Sequence, residues 1–333
     1  MHFIFLIIYN CREKGRNLNL KSRTEKRQDC VSRNAGNFLF TCLFALVLAL
    51  VFPLSDSHAS GISARAAIVI DSSNEEVLFA KNPDLRLPPA STTKLITAMV
   101  ALDKLDPDAV VRISRKAADT PSVNPKLHAG EKLNVRDLLD LALMRSINGA
   151  AVALAEAAAG SENSFVPFMN KKAKSAGAVN TKFINASGLP GKGQHTTARD
   201  LAKIMKEALS YPVISDIIDT RVKTLEFDGK TLFLTNTNNL LWADEDHLGG
   251  KTGYTRAARH CFVGASEKEE GIIIVALLGD SSRNTLWNDA EKLLAKDFEK
   301  GTVIIDAKGD SLNIKRKKPV RRAKSRRSGT KPL

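Results

Sequence analysis

The chain has little cysteine. Its 333 residues include four, Cys11, Cys30, Cys42 and Cys261, and only the last lies beyond the N-terminal segment. A body with one cysteine cannot close an internal disulfide. Cys261 sits in HCFVGAS, which alternates like a strand, so it is expected in the core rather than as a nucleophile. No C-x-x-C, H-E-x-x-H or comparable ligand spacing occurs, so neither a metal site nor a cofactor is expected. There is no internal repeat. Long apolar runs are also scarce: the single one is NFLFTCLFALVLALVFPL, residues 37–54. With 43% apolar residues the chain still has enough for a sizeable core, and its length allows one or two domains.

Basic residues precede the apolar run, Arg33 being the nearest, and SDSHAS follows it. Ser57 and Ala59 are small residues at signal-peptidase spacing, which makes Ser60 the expected first mature residue. An uncleaved membrane anchor is the competing reading, because the run approaches the ~17 residues that can span a bilayer. The stretch before Arg33 is long for a signal peptide, and a downstream start, for example at Val31, is one explanation. The expected organisation is a leader with signal peptide over 1–59, a catalytic domain over 60–301 and a basic disordered tail over 302–333.

Acidic residues are missing from the last nineteen positions, which hold ten Lys or Arg. That end contributes +10, residues 1–36 contribute +5, and the body between them is left with −1 of the net +14. The high charge therefore describes the ends and says little about the body. The tail KRKKPVRRAKSRRSGTKPL is Pro-interrupted and nearly free of apolar residues, the composition of a solvated segment. In an exported protein its expected partners are anionic lipid head groups or wall polymers, with no nucleic acid, and a tail with no partner at all reads equally well.

Two apolar runs flank SSNE in AAIVIDSSNEEVLFAKN, the pattern of a hairpin. Helical spacing follows from Pro88 to Leu102. Residues 112–134 are polar and read as loop. Helices are expected over 135–146, over 147–160 with Gly160 as C-cap, over 163–178 and over 197–210. Strands return from Thr224, in TLEFD, GKTLFL, HCFVGAS and GIIIVALLGD, before a closing helix over 282–301. The fold class is α/β of the α+β kind: an antiparallel sheet whose strands come from both ends of the domain, with a helical block between.

Three short motifs carry possible chemistry. In PASTTK, Ser91 and Lys94 are three apart at a helix start, so hydroxyl and amine can meet; helix N-termini also favour developing negative charge. Alone, the same residues read as a cap and a solvated lysine. Ser146 and Asn148 fall in S-I-N, where one helix ends and another begins. There Ser146 can carry a proton and Asn148 can bond a substrate amide, although both types favour helix ends anyway. Lys251, Thr252 and Gly253 form K-T-G before a strand. The cation and hydroxyl can bind a carboxylate, and the glycine admits close backbone approach along an edge strand. Lys251 can also help keep Lys94 neutral, since a free lysine titrates near ~10.4.

The ordered set S-x-x-K, S-x-N, K-T-G, with spacings of 55 and 105 residues, is far more specific than any one member. It resembles the low-molecular-weight penicillin-binding proteins, serine-type D-alanyl-D-alanine carboxypeptidases with a β-lactamase/transpeptidase-like fold. The hairpin before PASTTK, FINASGLPGKGQHTTARDLAKI, LTNTNNLL and KTGYT are similar to that family too, so the resemblance spans roughly residues 62–300. It implies an exported enzyme that removes the terminal D-alanine from peptidoglycan stem pentapeptides and is acylated by β-lactams. Ser91 would be the nucleophile, Lys94 its proton acceptor and Ser146 the relay. Asn148 would hold substrate backbone, and Lys251, Thr252 and Gly253 would line the carboxylate site. The backbone N–H groups of Ser91 and Tyr254 would form the oxyanion hole. The implied location is the periplasm or the outer face of the cytoplasmic membrane. Departures are Gly149, where the family often has Asp, and Arg259, where Gly is usual after Ala258. The chain reads as a one-domain member. A serine β-lactamase stays open beside this reading, although no acidic loop matching its water-activating glutamate occurs between Ser146 and Lys251, and capping accounts for Glu162 after Ser161. So does a non-catalytic wall-binding module.

Overall fold

The computed structural model describes residues 61–227, 229–269, 271–295, 303–305 and 311–312. The segment expected to be a leader, and most of the expected tail, lie outside the described residues. Among the described residues no helix is long and apolar enough to cross a membrane.

The first described elements are the expected hairpin, β1 (Ala66–Asp71) and β2 (Val77–Lys81). A 3-10 turn, Ala90–Thr93, runs into α1 (Lys94–Leu102). The region expected as loop contains structure: β3 (Val110–Arg112) pairs antiparallel with β4 (Lys132–Asn134), and α2 (Arg115–Asp119) lies between them. These pieces are too short to show a period, so sequence pattern could not reveal them. The helical block continues with α3 (Val135–Leu143), α4 (Asn148–Ala159), α5 (Glu162–Ser175) and α6 (Ala198–Leu209). Gly160 caps α4 with φ of 75°, in the left-handed region that glycine reaches without strain. A further helix, α7 (Pro212–Asp219), starts at a proline well placed for a first turn. Then come β5 (Val222–Phe227), β6 (Lys230–Thr235), α8 (Leu240–Ala243), β7 (His247–Thr255), β8 (Arg259–Lys268), β9 (Gly271–Asp280) and α9 (Arg283–Leu294).

The main sheet draws strands from both ends of the domain. Its order is β11-β10-β2-β1-β9-β8-β7, with β10 (Val303–Ile305) and β11 (Ser311–Leu312) at one edge and β7 at the other. All its pairings are antiparallel except that of β10 with β2. Strand β10 follows the position, 301, at which the sequence suggested that the domain would end. The β5–β6 pair forms a separate two-stranded sheet rather than extending the main one.

Alternation along the central strands makes three layers. On β1, Ala66, Ile68 and Ile70 face the helical block, while Ala67 and Val69 face α9. On β9, Ile274, Ala276 and Leu278 face the block, and Ile273, Val275 and Leu277 the other side. Side chains two apart share a face, so a strand buried on both faces is apolar throughout. That is why GIIIVALLGD reads as a continuous run. Cys261 is fully buried, and burial pushes its thiol up to about 12, in keeping with a core residue.

Candidate active site

The site forms where the 3-10 turn, the junction of α3 with α4, and edge strand β7 converge. Ser91 occupies the turn, one position after Ala90, whose φ of 49° is left-handed. Lys94 is the first residue of α1 and is fully buried. Its Nζ lies 2.9 Å from Ser91 Oγ, 2.7 Å from Asn148 Oδ1 and 2.7 Å from the Ser187 carbonyl oxygen. A neutral amine has two N–H donors and one lone pair. Two donors satisfy the amide oxygen and the carbonyl, which leaves the lone pair for the Ser91 hydroxyl. Burial, and secondarily the charge of Lys251, hold Lys94 well below the usual lysine range. A desolvated amine in this setting can accept a proton from the hydroxyl beside it.

Ser146 lies at the α3–α4 junction with a left-handed φ of 63°. Such a conformation in a non-glycine residue costs on the order of 1–3 kcal/mol and has to be imposed by its surroundings. Its Oγ accepts from Lys251 Nζ at 3.1 Å, and Lys251 also donates to the Thr252 carbonyl at 3.0 Å. Lys251 is fully buried, and burial brings it down to about 7. Thr252 Oγ1 meets Thr237 Oγ1 at 2.7 Å. Tyr254 is 61% exposed and lies against His260, with ring centroids 4.5 Å apart and the ring planes tilted by 35°.

Two sequence expectations change character here. Gly253 does lie on an edge strand, but its closest neighbour is the nucleophile turn: a Cβ on it would come 2.9 Å from Ser91 N and 3.0 Å from Ala90 Cβ. The glycine lets β7 press against the Ser91 turn. Asn148, expected to present its amide to substrate, uses both ends inside the protein: Oδ1 accepts from Lys94, and Nδ2 donates to the Pro121 carbonyl at 2.6 Å. Its backbone N–H donates to Ser122 Oγ at 2.9 Å.

Sequence motifs could not find several residues that complete the site. Ser187 contributes only a carbonyl, which leaves no side-chain signature. Gly188, at φ of 83°, is required because a Cβ there would fall 1.8 Å from the Ala90 carbonyl oxygen. Thr237 lies in LTNTNNLL, whose similarity to the family was the one available signal. Gly149, a departure from the family pattern, has a local cause: a Cβ would sit 2.5 Å from the Ala117 carbonyl oxygen, where α2 crosses α4. Glu162 is not the cap of α5, since Ser161 accepts the Ser164 N–H in that role.

The family model for D-alanyl-D-alanine carboxypeptidase, Peptidase S11, matches residues 54–282. This chain belongs to that family. It is accordingly a hydrolase, with a role in the cell wall. It is 37% identical over 246 residues to a D-alanyl-D-alanine endopeptidase of Pseudomonas aeruginosa, covering 72% of this chain and 78% of that protein. It is 36% identical over 225 residues to the D-alanyl-D-alanine carboxypeptidase DacF of Bacillus subtilis, covering 66% of this chain but only 58% of that longer relative. Among solved structures, a D-alanyl-D-alanine carboxypeptidase of Mycobacterium tuberculosis superposes with a TM-score of 0.67 at 32% identity, covering 71% of this chain and 90% of that one. The fold of this family member is therefore that of the penicillin-binding DD-peptidases, as the three motifs suggested.

Proposed function

We propose that this protein is an exported serine D-alanyl-D-alanine carboxypeptidase that trims peptidoglycan stem pentapeptides through an acyl-enzyme on Ser91 and is acylated by penicillin at the same atom. The observation that carries the reading is the buried Lys94 amine, 2.9 Å from Ser91 Oγ with its remaining bonds directed to two acceptors. Ser91 Oγ attacks the carbonyl carbon of the penultimate D-alanine, and its proton passes to Lys94 Nζ. The oxyanion that forms is held by the backbone N–H groups of Ser91 and Tyr254, donors fixed before charge develops. The C–N bond then breaks as Ser146 gives its hydroxyl proton to the departing amine of D-alanine and takes in return the proton held on Lys94, which leaves that amine neutral again. Lys251 and Thr252 bind the terminal carboxylate. Water attacks the remaining ester, giving a proton to the neutral Lys94 amine, which passes it to the Ser91 oxygen as the ester C–O bond breaks, and the enzyme is restored.

The same acyl-enzyme formed on a cross-linked peptide would release a neighbouring stem instead of free D-alanine, and the Pseudomonas relative is named as an endopeptidase. The peptidase and a serine β-lactamase both deacylate with water, but a class A β-lactamase adds a glutamate that activates it and clears the penicilloyl ester quickly. Glu162 is engaged elsewhere, which favours the peptidase. Anionic lipid or wall polymer remains the partner proposed for the basic tail, and the periplasm or the outer face of the cytoplasmic membrane the proposed location.

The test is intact mass of the purified protein after mixing with benzylpenicillin, followed in time, with Ser91→Ala as control. The expected result is a long-lived adduct of one penicillin, absent in the variant. Drug consumption without an adduct would show a β-lactamase. An untouched drug would indicate a non-catalytic module. Defined pentapeptide and cross-linked dimer then separate the two peptidase activities by product.

A further inference from the structure

We propose that Glu162 is a positioning residue for the reaction, one that sets the carbonyl holding the Lys94 amine. This inference rests on the reading of Ser91 and Lys94 given above.

Lys94 reaches its working geometry through a backbone carbonyl, that of Ser187, and a carbonyl is only as well placed as the segment that carries it. Residues 185–188 form no helix or strand. They are held instead by bonds from three directions. Thr97 Oγ1, one turn along α1 from Lys94, donates to the Ala186 carbonyl at 2.7 Å. Asn185 Oδ1 accepts from Gly188 N at 2.8 Å. From α5, Glu162 Oε1 accepts from the Ala186 N–H at 2.9 Å. The residue held by Glu162 is thus the one before Ser187, and the peptide between its N–H and the Ser187 carbonyl is the one held by Thr97. Ala186 is fully buried, so its N–H has no water to turn to if the carboxylate is removed. Gly188, seated against the Ala90 carbonyl, carries the other end of the segment onto the nucleophile turn.

The second oxygen of Glu162 pairs with Lys116 Nζ at 3.0 Å, and Lys116 is half exposed. The carboxylate therefore has one structural bond inward and one screened ion pair outward. Ser161 already caps α5, so capping does not account for Glu162. Its geometry is that of a brace between α5 and the strip of backbone that orients the base.

The chemical consequence is specific. If the Ser187 carbonyl drifts, Lys94 loses one of the two acceptors that fix its donors, and its lone pair is no longer held on Ser91 Oγ. Binding of the β-lactam carboxylate at Lys251 and Thr252 involves none of these atoms. Glu162→Ala should therefore slow the acylation step and leave the preceding binding equilibrium alone.

Stopped-flow acylation of the purified full-length protein by a fluorescent penicillin, over a range of drug concentrations, separates the acylation rate constant from the dissociation constant. The expected result for Glu162→Ala is an acylation rate constant lower by about 10- to 100-fold, the size of effect that misplacement of about 1 Å produces, with the dissociation constant unchanged. Glu162→Gln keeps an oxygen for the Ala186 N–H and should recover most of the rate despite losing the charge. Glu162→Asp keeps the charge but draws the oxygen back, and should be slow. Lys116→Ala should acylate like wild type. If Glu162→Ala does not fold, the order Gln faster than Asp still decides. Wild-type rate in Glu162→Ala, or Asp faster than Gln, would overturn the proposal while leaving the acyl-enzyme reading intact. Wild-type protein that is never acylated would instead overturn the proposed function.

Discussion

Gly149 offers a test in which two effects of opposite sign compete. It lies in the first turn of α4, next to Asn148. Replacing a helical glycine by alanine should stabilise by up to about 1 kcal/mol through reduced backbone entropy in the unfolded chain. Here the new Cβ would lie 2.5 Å from the Ala117 carbonyl oxygen and 3.4 Å from its carbon, where the oxygen contact falls below the 3.0 Å that real Cβ atoms keep. The obstacle is backbone, so no rotamer change relieves it, and α2 has to move. α2 is tethered: its cap Ser114 donates to Glu156 Oε2 at 2.6 Å, and the loop after it bonds Asn148 twice, through Pro121 and Ser122. Overpacking of this kind costs about 1–3 kcal/mol, so Gly149→Ala should be destabilising by about 1–2 kcal/mol net. For a domain of this size that lowers Tm by about 2–8 °C. Because the same displacement moves Pro121 and Ser122, acylation by a fluorescent penicillin should slow as well. A variant that is more stable than wild type and acylates at the wild-type rate would refute the reasoning, since it would mean that α2 yields at no cost.

Two pH dependences follow from buried basic groups. His247 is held down to about 4, chiefly by burial; its Nε2 lies 2.8 Å from Asn238 Nδ2 and its Nδ1 2.9 Å from Ser266 Oγ, the arrangement of a neutral ring. Its folded value is below the unfolded value of 6.5, so the unfolded chain binds the extra proton first. Stability should be complete above pH 6.5 and fall by up to about 3 kcal/mol as pH drops toward 4. Urea unfolding at several pH values checks this, and His247→Gln should flatten the slope. Lys251 is brought down to about 7, so in the free enzyme its cation is present below that pH and lost above it. With a substrate bearing the terminal carboxylate, kcat/KM should fall as pH rises through about 7. With the methyl ester of the same substrate that fall should be absent, and an equal fall in both would exclude Lys251 as the carboxylate partner.

The sequence alone determined the parts that rest on local periodicity and on residue type. The apolar runs in AAIVID and GIIIVALLGD read as strands, and HCFVGAS as a strand by its alternation. The three-residue spacing of Ser91 and Lys94 put hydroxyl and amine within reach, and Gly160 marked the end of a helix by needing a left-handed φ. The motif set and the stretches around it carried the family and the fold. Tertiary structure decided whatever depends on groups distant in the chain or on backbone atoms common to every residue. That Lys94 is desolvated follows from Asn148 and Ser187 closing over it from 54 and 93 residues away. A carbonyl has no side-chain signature, so nothing in the letters marks Ser187, or Glu162 behind it. The same holds for Gly253 and Gly149. Sequence shows only that the side chain is missing, and the packed structure shows which backbone fills its place, the Ser91 turn in one case and α2 in the other.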